Sequence, residues 1–170
     1  MAPPLRRILV VDDEESVCHA LRRVLESSGY LVSVAESGEA GLRILETTPV
    51  QVVISDNSMP GMLGIDFLKL VRVRHPNVVR IMLTGDPHPE TPVRSINEGE
   101  VYRFIRKPWD NADLRTILHF AFGVVALEEE KRRLIALVRK QRQARESGSP
   151  MDPADLEEEV LLLAEEEAGG

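Results

Sequence analysis

The sequence predicts an α/β fold: a doubly wound sheet of five parallel strands, followed by a long helix. Three observations predict it. Short apolar runs recur along the first 105 residues, and segments with helical spacing of apolar residues alternate with them. The connections are short, as in a parallel sheet covered by crossover helices on both faces. Acids, a hydroxyl and an ammonium stand where the runs end, at the sheet edge where open α/β folds bind ligands.

The first run is Ile8-Leu9-Val10-Val11, closed by Asp12-Asp13. Four unbroken apolar residues read as a strand buried on both faces. Residues 16–28 place Val17, Ala20, Leu21, Val24 and Leu25 at helical spacing, and Gly29 follows as a C-terminal cap. A short second strand covers 31–34. Ser37 caps a helix carrying Ala40, Leu42, Ile44 and Leu45, which Pro49 closes. The third strand, 51–55, leads into Asp56; a helix over 65–74 precedes Pro76. A fourth strand, 78–83, ends at Thr84. A short fourth helix is expected over 93–98, before Gly99, and a fifth strand over 101–105 ends near Lys107-Pro108. A long helix starts near Asp110. Right-handed crossovers restrict the topology, and the expected strand order is the flavodoxin-like 2-1-3-4-5.

The totals bound the function. The chain has 170 residues, 43% hydrophobic and 29% charged, with net charge −7. The negative balance disfavours general nucleic-acid binding. One cysteine, Cys18, cannot form an internal disulfide and fits a reducing compartment. No apolar run approaches the roughly 20 residues a membrane helix needs. The expectation is a cytoplasmic protein without a targeting signal or membrane contact.

The strand ends assemble the candidate site. Asp12 and Asp13 follow the first strand, Asp56 the third, Thr84 the fourth and Lys107 the fifth. Adjacent carboxylates repel, so keeping them ionised favours a nearby cation. Their hard oxygens suit Mg²⁺. An Asp after a strand is ordinarily a turn or cap residue. Five such residues on one edge argue for more than that.

In order, spacing and strand context, Asp12-Asp13, Asp56, Thr84 and Lys107-Pro108 resemble the receiver domain of two-component response regulators, over about residues 6–122. The loop Asn57-Ser58-Met59-Pro60-Gly61 is similar too. The resemblance implies that Asp56 accepts a phosphoryl group from a histidine kinase or phosphotransfer protein. It implies that Mg²⁺ is held by Asp13, Asp56 and the Ser58 backbone carbonyl, with Asp12 supporting. Lys107 would add positive charge, Thr84 would hydrogen-bond the phosphoryl group, and Phe104 would turn into the space Thr84 leaves. Tyr102 is expected on the face of Phe104 by the two-residue strand period. Ser58 and Asp86 would tune the phosphate lifetime. No enzyme beyond self-phosphorylation and dephosphorylation is implied.

Two regions depart from that pattern. The stretch 86–92 holds three prolines, so the fourth helix should start late, near Thr91-Pro92. Residues 100–109 are similar to receivers found with cyclic-di-GMP phosphodiesterase, kinase or enhancer-binding partners. Along the last helix, from the end of the receiver (1–122) onward, apolar positions at Phe120, Val124, Leu127, Leu134 and Val138 fit a heptad seam. A helical extension or coiled coil over 123–146, a linker over 147–151 and an acidic amphipathic tail over 152–170 follow. Residues 128–146 hold seven bases and four acids; the tail holds eight acids and no base. The tail could fold back on the basic helix, dock on a partner or stay solvated.

The leading expectation is a phosphorylation-switched regulator. It would work by homodimerisation, through the C-terminal helix or the face of the fourth and fifth predicted helices, or by binding an output protein still to be identified. The alternatives are a regulatory receiver module of a larger cyclic-di-GMP- or kinase-related assembly and, below it, a transcription regulator. A haloacid-dehalogenase-type phosphohydrolase would need a second Asp where Ser58 stands.

Overall fold

Polarity sorts the five strands. β1 (Arg7–Val11) and β3 (Val52–Asp56) are apolar almost throughout and lie inside the sheet; β2 (Leu31–Ala35) and β5 (Arg103–Arg106) carry exposed residues and form its edges. β4 (Val79–Thr84) completes a parallel sheet in the order β2-β1-β3-β4-β5, the order the sequence predicts. The helices are α1 (Glu15–Ser27), α2 (Gly38–Thr47), α3 (Gly64–Arg74) and α4 (Asn111–Glu146). This computed structural model describes residues 5–85 and 101–146. The predicted fourth helix, Asp86, the linker and the acidic tail lie outside the described residues.

Strand alternation divides the core into two layers. Ile8, Val10, Val52, Ile54, Ile81 and Leu83 face Cys18, Leu21 and Leu25 of α1 and Leu114, Leu118 and Ala121 of α4. Leu9, Val11, Val53 and Met82 face Leu42 and Leu45 of α2 and Phe67, Leu68 and Val71 of α3. Burying each large side chain contributes about 1.5–3 kcal/mol. Both faces of the sheet are thus covered, which is what unbroken rather than alternating apolar runs require.

The helix ends follow local chemistry. Gly29, at φ +86°, stops α1 and lets the Tyr30 amide return to the Leu25 carbonyl at 3.2 Å. Ser37 Oγ accepts from the Ala40 amide at 3.2 Å. Asp110 Oδ1 accepts from the amides of Ala112, at 2.7 Å, and Asp113, at 3.0 Å. Asp110→Ala should therefore lower stability by about 1 kcal/mol, read as a reduced urea midpoint at unchanged slope. An unchanged midpoint would remove the cap from the account of where α4 begins.

Two elements differ usefully from expectation. β3 is shifted one residue on from 51–55, to Val52–Asp56, so Asp56 is the last residue of the strand. β5 begins at Arg103, two residues after the predicted start, with Tyr102 in a bend before it. The two-residue period therefore does not extend to Tyr102. Tyr102 packs with the α1/α4 layer, whereas Phe104 packs with the α2/α3 layer. The chain divides after Val125: Leu5–Val125 is one compact unit, and α4 from Ala126 onward belongs to a second.

Candidate functional site

Register brings the acids together. Val11 pairs with Ser55 across β1 and β3, so the next residues, Asp12 and Asp56, emerge side by side at the carboxyl edge. Both are buried, Asp12 at 0% and Asp56 at 5% exposure. Buried carboxylates need a counter-charge. Lys107 supplies it from the end of β5: its Nζ lies 2.8 Å from Asp12 Oδ2, 2.7 Å from Asp56 Oδ1 and 3.7 Å from Glu14 Oε1. The other carboxylate oxygens are also met. Asp12 Oδ1 accepts from the Glu14 amide at 2.9 Å, and Asp56 Oδ2 from the Ser58 amide at 2.6 Å.

Lys107 is delivered by backbone. Its amide donates to the Thr84 carbonyl at 2.8 Å, just beyond the last β4–β5 pair, Thr84 and Arg106. The Lys107–Pro108 bond is cis. Burial pulls the Lys107 ammonium toward the neutral form, but hydrogen bonds and charge from Asp12 and Asp56 outweigh it and hold the pKa above the usual lysine value. Burial pushes the Asp12 carboxyl up; the Lys107 and Glu14 hydrogen bonds oppose that, and the nearby Asp56 charge adds to it. At neutral pH the ionised ammonium–carboxylate pair is the state that satisfies these contacts. Lys107→Met would strand two neighbouring buried carboxylates. It should cost about 3–5 kcal/mol, measured by urea unfolding at pH 7, and Asp12→Asn in the same background should recover part of the loss. A wild-type midpoint for Lys107→Met would show that Lys107 is not their counter-charge.

The other expected residues fall as follows. Asp13 is exposed, beside the pair and not inside it. Ser58 is exposed, next to Asp56 in sequence and joined to it through its amide. Thr84 ends β4 at 9% exposure. Met82 is in register with Phe104, and by alternation Thr84, two residues on, shares that face diagonally. Phe104 is half-buried there. Among the described residues, no three His, Cys, Asp or Glu side chains converge as a ready-made metal cage. The acids present are nonetheless hard oxygen donors, and Asp12, Asp13, Glu14 and Asp56 outnumber the single Lys107 ammonium. That donor set and charge excess suit a divalent ion.

Sequence reasoning missed three supports. Gly64 opens α3 with its amide on the Asn57 carbonyl at 2.9 Å, and a Cβ there would collide with the Asp56 carbonyl oxygen. A glycine at the first position of a helix, where better helix formers are available, was the visible signal. Ser55 is fully buried, its hydroxyl 2.9 Å from the Asp56 carbonyl oxygen to which it donates. The Cys18 thiol donates to the Asp12 carbonyl at 3.3 Å. Burial, then the Asp12 charge, pushes that thiol up to about 11, so it stays protonated at neutral pH. Neither contact had a signal in composition or spacing.

Known proteins resemble this chain in sequence and fold. Residues 8–119 match the response regulator receiver domain family. The hydrogenase transcriptional regulatory protein HoxA of Cupriavidus necator is 37% identical over 127 residues, which cover 75% of this chain and 26% of that protein. The chain thus spans about a quarter of the length of the curated relatives it matches. The signal receiver domain of an HD domain-containing protein from Pseudomonas fluorescens Pf-5 superposes with TM-score 0.68 at 34% identity, covering 72% of this chain and 98% of that one. An adenylate cyclase structure from Rhodopirellula baltica superposes with TM-score 0.73 at 34% identity, covering 78% and 98%. Sheet order, edge residues and these similarities agree: the chain belongs to the response regulator receiver family of two-component signalling.

Proposed function

We propose that this receiver accepts a phosphoryl group on Asp56 and uses it to switch an interaction. One observation carries the reading: Asp56 is a buried carboxylate at a strand end, with Lys107 Nζ on one oxygen and the Ser58 amide on the other. In the transfer, an Asp56 oxygen attacks phosphorus, the new O–P bond forms and the P–N bond to the donor histidine breaks. The donor is a histidine kinase or phosphotransfer protein. Phosphoryl transfer is dominated by positioning and charge neutralisation. Lys107 provides both, already lying 2.7 Å from the nucleophile. Asp13, Asp56 and the Ser58 backbone carbonyl would hold Mg²⁺ with Asp12 in support, and the ion would neutralise charge on the phosphoryl oxygens.

The Thr84 hydroxyl donates to a phosphoryl oxygen once one is present, and Phe104 repacks on the same sheet face. Ser58 and Asp86, two residues after Asp56 and Thr84 in sequence, tune the lifetime of the phosphorylated carboxylate. The chain has no enzymatic output of its own. It acts in the cytoplasm, by pairing with a second copy through α4 or through the face that includes the fourth predicted helix, or by engaging an output protein. No described helix is long and apolar enough to cross a membrane. A second reading, a regulatory module within a larger transcription-controlling assembly, is favoured by the relatives, which are transcriptional regulators about four times the matched length. Direct binding to nucleic acid is not proposed.

Acetyl phosphate with Mg²⁺ tests the reading. The full chain should gain one phosphoryl mass, and EDTA should prevent it. No gain at any Mg²⁺ concentration would overturn it. Sedimentation with and without beryllofluoride then reports whether the switch acts on pairing.

A further inference from the structure

From Leu127 onward, the side of α4 that carries its heptad seam is open. Leu127, Leu134, Ile135 and Val138 are 69%, 53%, 42% and 60% exposed. Lys131, Gln141 and Arg142, on the same side, are exposed too, and the Glu128 side chain is 47% exposed. With Leu127 and Leu134 as d positions, Lys131 and Val138 are a positions and Gln141 is the next d; Glu128, Ile135 and Arg142 are the e positions beside them. Single exposed aliphatic residues are ordinary, but four on one face of about three turns mark an interaction surface.

We propose that the partner on this face is a second copy of the chain, lying antiparallel, with Leu134 packed on the partner's Val138. The inference rests on the reading that this chain pairs through α4, and adds the direction and register of the pair. A two-fold interface must match itself, and this one does. Setting Leu134 against the partner's Val138 repeats that contact by symmetry. It brings Ile135 to the partner's Ile135 near the axis and places Lys131 beside the partner's Gln141. Glu128 then faces the partner's Arg142, and Arg142 faces the partner's Glu128, at the two ends of the seam. Within one chain these two residues stand about 21 Å apart along the helix and cannot meet. A parallel pair has the opposite character. It stacks Lys131 on the partner's Lys131 in the middle of the seam, and sets Glu128 and Arg142 against the partner's Gly123 and the partner's Leu137, which carry no charge. Like charges within a seam and unmatched charges beside it disfavour that arrangement. Charge thus selects the direction, and the aliphatic side chains supply the contact. The seam is short, so pairing is reversible and depends on concentration.

Sedimentation equilibrium of the full chain, run in Mg²⁺ with and without beryllofluoride, tests it, the tighter-pairing state serving as reference. Leu134→Gln should weaken pairing by about tenfold or more, because both copies of the central contact are lost. Glu128→Arg alone and Arg142→Glu alone should each weaken it by about tenfold, because each turns both ion pairs into like-charge contacts. Combined in one chain, the two exchanges restore opposite charges across the interface, and pairing should return to within about threefold of wild type. Phosphoryl uptake from acetyl phosphate, read by intact mass, should match wild type in every variant, so a failure at Asp56 and a failure of pairing are seen separately. A wild-type protein that is monomeric in both states would overturn the proposal. So would wild-type pairing in Leu134→Gln or in either single charge exchange, which moves the interface off this face. Losses that add in the combined variant would overturn the antiparallel direction, since Glu128 and Arg142 would then not face each other.

Discussion

Asp56→Asn should take up no phosphoryl group from acetyl phosphate in Mg²⁺, where the wild type does, as read by intact mass. An amide is not a nucleophile at neutral pH, and among the described residues no other carboxylate has the same setting. Asp12 is as deeply buried but spends one oxygen on the Glu14 amide and the other on Lys107. Asp13 is exposed and outside the ion cluster. The substitution also removes one of two neighbouring buried charges that share a single ammonium. Its urea midpoint should therefore stay near the wild type's, since lost attraction to Lys107 is offset by lost repulsion from Asp12. A phosphorylated Asp56→Asn protein would move the acceptor elsewhere; an unphosphorylated but unfolded one would assign Asp56 a structural role instead.

Gly64→Ala should be the most damaging single-methyl change among the described residues. A Cβ at Gly64 meets the Asp56 carbonyl oxygen, with the Asn57 Cα 2.7 Å away. These are backbone atoms and cannot swing aside as a side chain would. The start of α3 must move away from β3, or the Asp56–Asn57 peptide must turn. Overpacking of this kind costs about 3 kcal/mol or more when backbone must shift. The sharper readout is functional. Because the displaced carbonyl belongs to Asp56, the proposed acceptor, the residual folded protein should take up phosphoryl more slowly than wild type. Gly123→Ala, inside α4 where a Cβ meets nothing within 4 Å, is the control: it should raise the midpoint slightly, by up to about 1 kcal/mol, and leave the rate unchanged. A Gly64→Ala protein with wild-type midpoint and rate would show that α3 can yield freely.

The sequence carried the sheet and most of its edge. Unbroken runs such as Ile8–Val11 mark strands buried on both faces whatever surrounds them, and caps such as Ser37 and Asp110 act within four residues. The separate settings of Asp12 and Asp13 could not be read, because two adjacent identical acids differ only in which way the chain turns after Val11. The shift of β5 to Arg103 was hidden for a similar reason. Val101 and Tyr102 suit a strand by type, and only pairing with β4 decides where hydrogen bonding starts. Gly64 went unread: a glycine opening a helix was the only signal, and nothing in the sequence pointed to its neighbour, the Asp56 carbonyl.

The ion cluster has one further consequence, for assembly. Lys107 and Asp12 are 95 residues apart in the chain. Their meeting closes nearly the whole domain into one loop, with β1, β3 and β5 all in place. Contacts of such long range are entropically costly to form early. A nascent or half-folded chain therefore has Asp56 but not the ammonium that prepares it. On the proposed function, competence for the phosphoryl group would then depend on completed folding, which brings Lys107 to Asp56.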